Sequence, residues 1–146
     1  MKRAISLLLA VMLLLLCGCG PNENEFQVRF LPCAYDTQAS YPQIAVIHNE
    51  NELLDHLKQS NGSQLERYDS DFFQDRILFV LTLSTSSSID SYELERVSDD
   101  GTYLTFHIKK TKTGQAGTGV MGATHMLVEM DKSWNTDPQN IKIEFI

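Results

Sequence analysis

Cysteine is scarce in this chain: three residues in 146, and two of them, Cys17 and Cys19, fall within the first nineteen positions. A multi-disulfide scaffold is excluded on that count. Basic residues are also few. Twelve Lys and Arg face 19 Asp and Glu, a formal net charge of −7. That balance argues against nucleic acid, because phosphate binding needs a basic patch. Internal repeats and low-complexity tracts are missing, and the apolar fraction of 42% is that of a folded chain rather than a disordered tail. The length is too short for a two-domain enzyme. The G-x-S-x-G elbow, the Gly-Lys-Ser/Thr of a P-loop and the H-E-x-x-H metal spacing are all lacking.

What the first twenty residues do contain is organised. Lys2 and Arg3 form a basic start, and Ala4 to Leu16 follows with Ser6 as its single polar residue. At thirteen residues this run is too short for a hydrocarbon core of ~30 Å, which needs about 20 residues, and it has the size of a secretory core region. It ends in Leu16-Cys17-Gly18-Cys19. This resembles the lipobox of bacterial lipoprotein signal peptides, and the resemblance implies cleavage before Cys19 and a thioether-linked diacylglycerol on its sulfur. The expected product is a lipoprotein held on the outer face of the cell membrane, extracytoplasmic, anchored by palmitate-type chains without a transmembrane helix. Two or more acyl chains give stable attachment where one does not. Loss of residues 1–18 takes away Lys2 and Arg3 and leaves ten basic against nineteen acidic residues, a net charge of −9 over 128 residues. Such a domain is repelled by anionic lipid. Residues 19–25 read as the lipidated Cys and a short acidic tether. With Cys19 acylated, Cys33 has no intrachain partner and reads as a small buried hydrophobe.

Residues 26–146 read as one α+β domain. Phe26 to Leu31 alternates as a strand with Phe26, Val28 and Phe30 on one face, and Ile44 to Ile47 is a second, short strand. Asn49 and Glu52, three apart, suit a capping box that opens the one clear helix, with Leu53, Leu54 and Leu57 as its apolar stripe and Asn61-Gly62 as its stop. Phe72 and Phe73 are expected to plug the core. Arg76 to Leu83 is nearly continuous apolar, which suits a central strand buried on both faces. Ser84 to Ser88 reads as a polar break, Tyr92 to Val97 as a half-exposed strand, and Ser98 to Gly101 as a hairpin turn into Leu104, Phe106 and Ile108. Gly114 to Gly122 reads as a loop. Thr124 to Met130 returns with Met126, Val128 and Met130 on one face, and Ile141 to Ile146 closes the chain with Ile141, Ile143 and Phe145 inward. The sum is a mostly antiparallel sheet of about seven strands with one helix on one face; a barrel-like closure is the alternative.

Candidate chemistry is thin. Gly117-Thr118-Gly119-Val120-Met121-Gly122 spells G-x-G-x-x-G, but a strand rather than a helix follows it, so it reads as a loop. Asp131-x-Ser133-x-Asn135-x-Asp137 alternates oxygens as a calcium loop does, yet Lys142 stands at the bidentate position and the stretch reads as a polar turn. His48, His56, His107 and His125 are scattered and read as surface or rim residues. No metal or cofactor is implied. Trp134, in the polar loop before the last strand, reads as the cover of a core edge and is a candidate binding anchor if exposed, beside Gly117, Gly119, Val120 and Met121 as candidate interaction residues.

From Tyr68 onward the landmarks form a pattern: Tyr68-Asp69-x-Asp71-Phe72-Phe73, Ile77-Leu78-Phe79-Val80, a Ser-rich break, Asp100-Gly101, Leu104-x-Phe106-x-Ile108, and His125 to Lys132. With the helix around Leu53, residues 43–132 resemble the small exported domains related to the C-terminal domain of the protease-complex subunit PrcB. The resemblance implies an accessory, non-catalytic lipoprotein that associates with another exported protein or protease complex. Two other readings stand beside it. A small-ligand or ion-binding lipoprotein needs a concave pocket. A hydrolase needs one of Ser84–Ser88 or Cys33 within reach of His107 or His125.

Overall fold

The computed structural model describes residues 25–57, 64–86, 90–112 and 121–146. The leader with Cys17 and Cys19, the Asn61-Gly62 stop, and Gly117, Gly119 and Val120 lie outside the described residues. The expected seven strands and main helix are present: β1 (Gln27–Cys33), β2 (Gln43–Ile47), α1 (Glu50–His56), a one-turn α2 (Phe72–Asp75), β3 (Arg76–Ser86), β4 (Asp90–Asp99), β5 (Leu104–Lys112), β6 (Met121–Asp131) and β7 (Ile141–Phe145). They form an α+β fold with two sheets. One is four-stranded in the order β1-β6-β3-β2, antiparallel throughout; the other is three-stranded in the order β4-β5-β7, with β5 and β7 parallel.

The apolar run of β3 explains the layering. Its side chains alternate between two cores. Ile77, Phe79, Leu81 and Leu83 meet Met126, Val128 and Met130 of β6 and face Leu94, Phe106 and Ile108 of the second sheet. Leu78 and Val80 point the other way, with Leu127, onto Leu53, Leu57, Leu65, Tyr68 and Phe73. A strand apolar on both faces must be covered on both, so the second sheet takes one face and the helical segments take the other. Phe79 and Phe106 meet across the inter-sheet core with ring centroids 5.2 Å apart.

Local chemistry sets the ends. Asn49 Oδ1 accepts from Glu52 N at 2.9 Å and its Nδ2 donates to Glu52 Oε1 at 2.7 Å, while Glu52 Oε2 accepts the His48 amide at 2.8 Å. The Glu thus reaches one residue further back than the usual box. The β4–β5 turn is closed by Asp100 Oδ1, which accepts from the amides of Thr102 (2.8 Å) and Tyr103 (2.7 Å), and by Gly101 at φ 83°.

Several expectations need correcting. Leu54 is exposed, so the buried stripe of α1 is Leu53 and Leu57. Ser84 to Ser86 continue β3 rather than breaking it, because they pair with Met121 to Ala123 of β6. Met121 and Gly122 accordingly belong to a strand. Phe145 is exposed rather than inward, because it ends β7, an edge strand of the three-stranded sheet; Phe30, at the edge of the four-stranded sheet, is exposed as well.

Candidate functional site

Alternation along β6 puts Met126, Val128 and Met130 between the sheets and therefore His125, Leu127 and Glu129 on the helical side. β6 is an inner strand, so Glu129 is buried there, 2% exposed. A buried carboxylate must be paired and hydrogen-bonded. Arg29 Nε of β1 donates to Glu129 Oε1 at 3.1 Å, Arg67 Nη2 donates to Oε2 at 3.1 Å, and the Tyr68 hydroxyl donates to Oε1 at 3.0 Å. Burial first, and then the Glu129 charge and hydrogen bond, push the Tyr68 hydroxyl above the usual phenol range, which keeps it a donor. Glu129 thus ties β1 and the Leu65–Tyr68 turn to the middle of the sheet.

Outside this hub runs a groove of about 580 Å³ lined by Val28, Arg29, Phe30, Leu31, Gln64, Arg67 and, from β6, Leu127. Val28 and Phe30 come from one face of β1, Arg29 and Leu31 from the other. The groove therefore runs from the helical face of β1 and β6 to the outer backbone edge of β1, which among the described residues pairs only with β6.

A second concavity, about 560 Å³, lies at the other end of β1. Cys33, Asp36, Tyr41, His56, Thr82 and His125 are in its wall. His125 Nδ1 and Thr82 Oγ1 are 2.9 Å apart, and the His56 and His125 ring centroids are 6.4 Å apart. Burial pulls both imidazoles below their ordinary value, and for His125 the neighbouring His56 charge adds to the effect. Burial pushes the Cys33 thiol up, so it stays protonated at neutral pH and is a poor nucleophile. Among the described residues no group of three or more His, Cys, Asp and Glu side chains is placed to hold a metal ion.

The third cluster was not foreseen. His107, expected at the surface, is 5% exposed. Its Nε2 is 2.8 Å from Ser98 Oγ and its Nδ1 is 2.9 Å from Glu144 Oε2, with Arg96 Nη2 at 3.4 Å from the same Nδ1. Nδ1 cannot both donate to the carboxylate and accept from the guanidinium; the shorter contact assigns its proton toward Glu144, leaving Nε2 to accept from Ser98. This is the nucleophile–base–orienter order of a hydrolase triad. It lies, however, on the outer face of three paired strands, Ser98 opposite Thr105 and His107 opposite both Arg96 and Glu144. Strand amides lie in the plane of the sheet, perpendicular to these side chains, so they do not converge above Ser98 as an oxyanion hole requires. The cluster is built as a cross-strand polar ladder.

Trp134 is 8% exposed and belongs to the inter-sheet core, so it is not an exposed anchor; the turn Lys132–Trp134 swings the indole under the sheet. Met121 is exposed at the start of β6. The alternating oxygens after β6 are spent on local caps: Asp131 Oδ1 accepts from Ser133 N at 2.8 Å and Asp137 Oδ1 from Gln139 N at 2.9 Å, while Asn135 Oδ1 lies 2.9 Å from His48 Nε2. Lys142 lies over the Tyr103 ring, 3.1 Å from its centroid. The Glu129 hub escaped sequence reading, although its signal was there: a lone acid at the inward phase of an apolar strand.

No helix among the described residues is long and apolar enough to cross a membrane. Comparison of the chain with protein-family models, with curated proteins and with solved structures finds no match.

Proposed function

We propose that the chain is an exported lipoprotein, anchored through acylated Cys19, whose domain is a non-catalytic accessory module that engages another exported protein along the edge of β1. The observation that carries this reading is the β1 edge, which no other described strand pairs with, and Phe30, 46% exposed beside a groove. Edge strands offer unpaired N–H and C=O groups to a second chain, and an aromatic side chain at the same place supplies apolar contact area. Kinship with the exported PrcB C-terminal-like domains, suggested by residues 43–132, belongs to the same proposal.

The anchor is tested by labelling with radioactive palmitate. Incorporation into the wild-type chain and its loss in Cys19→Ser support it; a Cys19→Ser protein that stays membrane-bound at unchanged mass overturns it. The binding reading is tested with a photo-crosslinking amino acid at position 30 in membranes, with position 137 as control. A protein adduct specific to position 30 is expected, and its absence counts against the proposal.

The cleft at Cys33, His56, Thr82 and His125 supports a second reading, a small polar ligand held on the extracytoplasmic side. Its volume falls in the usual range for such sites, and two imidazoles and a hydroxyl converge on it. A small-molecule thermal-shift screen that yields stabilisers of the wild type but not of Thr82→Val distinguishes this reading from the first.

A further inference from the structure

The groove along β1 carries charge as well as apolar surface. Arg29 and Arg67 both line it, and both are held in place from beneath by Glu129. Those contacts occupy one nitrogen of each guanidinium, and the two side chains remain 49% and 39% exposed. Each guanidinium has five N–H donors, so donors are left over on the groove side. One carboxylate between two guanidiniums leaves one positive charge in excess, on a chain whose overall charge is −7. Fixed Arg forks lose little side-chain entropy when a carboxylate meets them, and they favour bidentate pairing.

We infer that the β1 groove takes an extended, acidic segment of another exported protein. Its backbone adds to the edge of β1 as a further strand, and its Asp or Glu side chains pair with Arg29 and Arg67 while an apolar neighbour rests on Phe30. This rests on the reading of β1 as a protein-docking edge and specifies the partner's chemistry. A lipid phosphate also matches an Arg pair, but a headgroup has nothing to match the alternating N–H and C=O groups of a strand edge, and an acidic domain is repelled by anionic bilayers.

The test is selection from a random-peptide display library against the acylated full-length protein in neutral nanodiscs. The expected peptides are enriched in Asp and Glu within β-branched runs and bind more weakly as salt rises. Gln64→Glu adds a repelling carboxylate to the groove without touching the Glu129 hub, and should weaken these peptides about tenfold; Arg67→Gln should do the same. Equal thermal stability of Gln64→Glu and wild type guards against misreading an unfolded variant. Peptides that lose binding in Phe30→Asp but show no acidic bias, or no response to Gln64→Glu, overturn this inference and leave the docking edge standing. Enrichment that ignores Phe30→Asp, or no enrichment, overturns both. Displacement of the peptide by phosphatidylglycerol vesicles that bind with the same Arg67 dependence assigns the groove to lipid and also overturns the inference.

Discussion

Glu129→Gln is the sharpest test of how β1 is held. The carboxylate accepts three hydrogen bonds, two of them from guanidinium groups. A glutamine keeps one acceptor oxygen and turns an NH₂ toward one of the donors, so at least one bond becomes a donor–donor clash. Removing one member of a fully buried ion pair costs about 3–5 kcal/mol. Here the arginines are 49% and 39% exposed, so water can solvate the charges left behind. The expected cost is accordingly about 2–3 kcal/mol. For a domain of this size that corresponds to a fall in Tm of roughly 10 °C. Differential scanning calorimetry and urea unfolding at pH 7 measure it. Hydrogen exchange should place the first loss of protection in residues 27–33, because Arg29 is the side chain that ties that strand to the hub. A Glu129→Gln protein within about 0.5 kcal/mol of wild type, with protection of β1 unchanged, would refute the assignment of Glu129 as the tie between β1 and the Leu65–Tyr68 turn.

The remaining predictions concern other parts of the molecule. His56 and His125 both titrate below the ordinary 6.5, chiefly through burial, so the unfolded chain binds more protons than the folded one between the two values. Their contribution to stability is complete above pH 6.5 and is lost as pH falls through the folded values; Tm measured from pH 7.5 to 5.5 should fall less in His56→Gln/His125→Gln than in wild type. Phe79→Ala, at a fully buried position against Phe106, should cost about 3–5 kcal/mol by urea unfolding. Asn49→Ala removes the cap on Glu52 N and should cost about 1 kcal/mol, read as a lower denaturation midpoint at unchanged slope. A fluorophosphonate probe should leave Ser98 unlabelled by mass spectrometry, because the strand amides around it do not converge into an oxyanion hole; labelling abolished by His107→Gln would reverse that conclusion.

Periodicity along the chain was enough to place the elements. The two-residue alternation of Met126, Val128 and Met130, the unbroken apolar run of β3, the Asn49–Glu52 spacing and the Asp100-Gly101 turn each express a local physical rule, and each is met in the structure. Alternation also carried an unread corollary. If the methionines of β6 face one core, Glu129 faces the other, and only the position of β6 inside the sheet makes that second face a buried one.

The candidate sites were hidden for a different reason. Arg29, Arg67, Tyr68 and Glu129 come from three distant stretches and Cys33, His56, Thr82 and His125 from four, and Glu144 joins the Ser98–His107 pair of the β4–β5 hairpin only because β7 returns parallel to β5. Trp134 lies between the two cases: its bulk amid polar neighbours suggests a residue covering a core edge, and the 3-10 turn that seats it in the inter-sheet core is seen only in the structure. Hydrophobic spacing and capping are short-range, so the sequence by itself determined the strands, the main helix and the acidic character of the chain. Which strands became neighbours was decided by burying both faces of β3 at once, and that long-range choice created the Glu129 hub, the position of β1 at the sheet edge and the cleft beside Cys33.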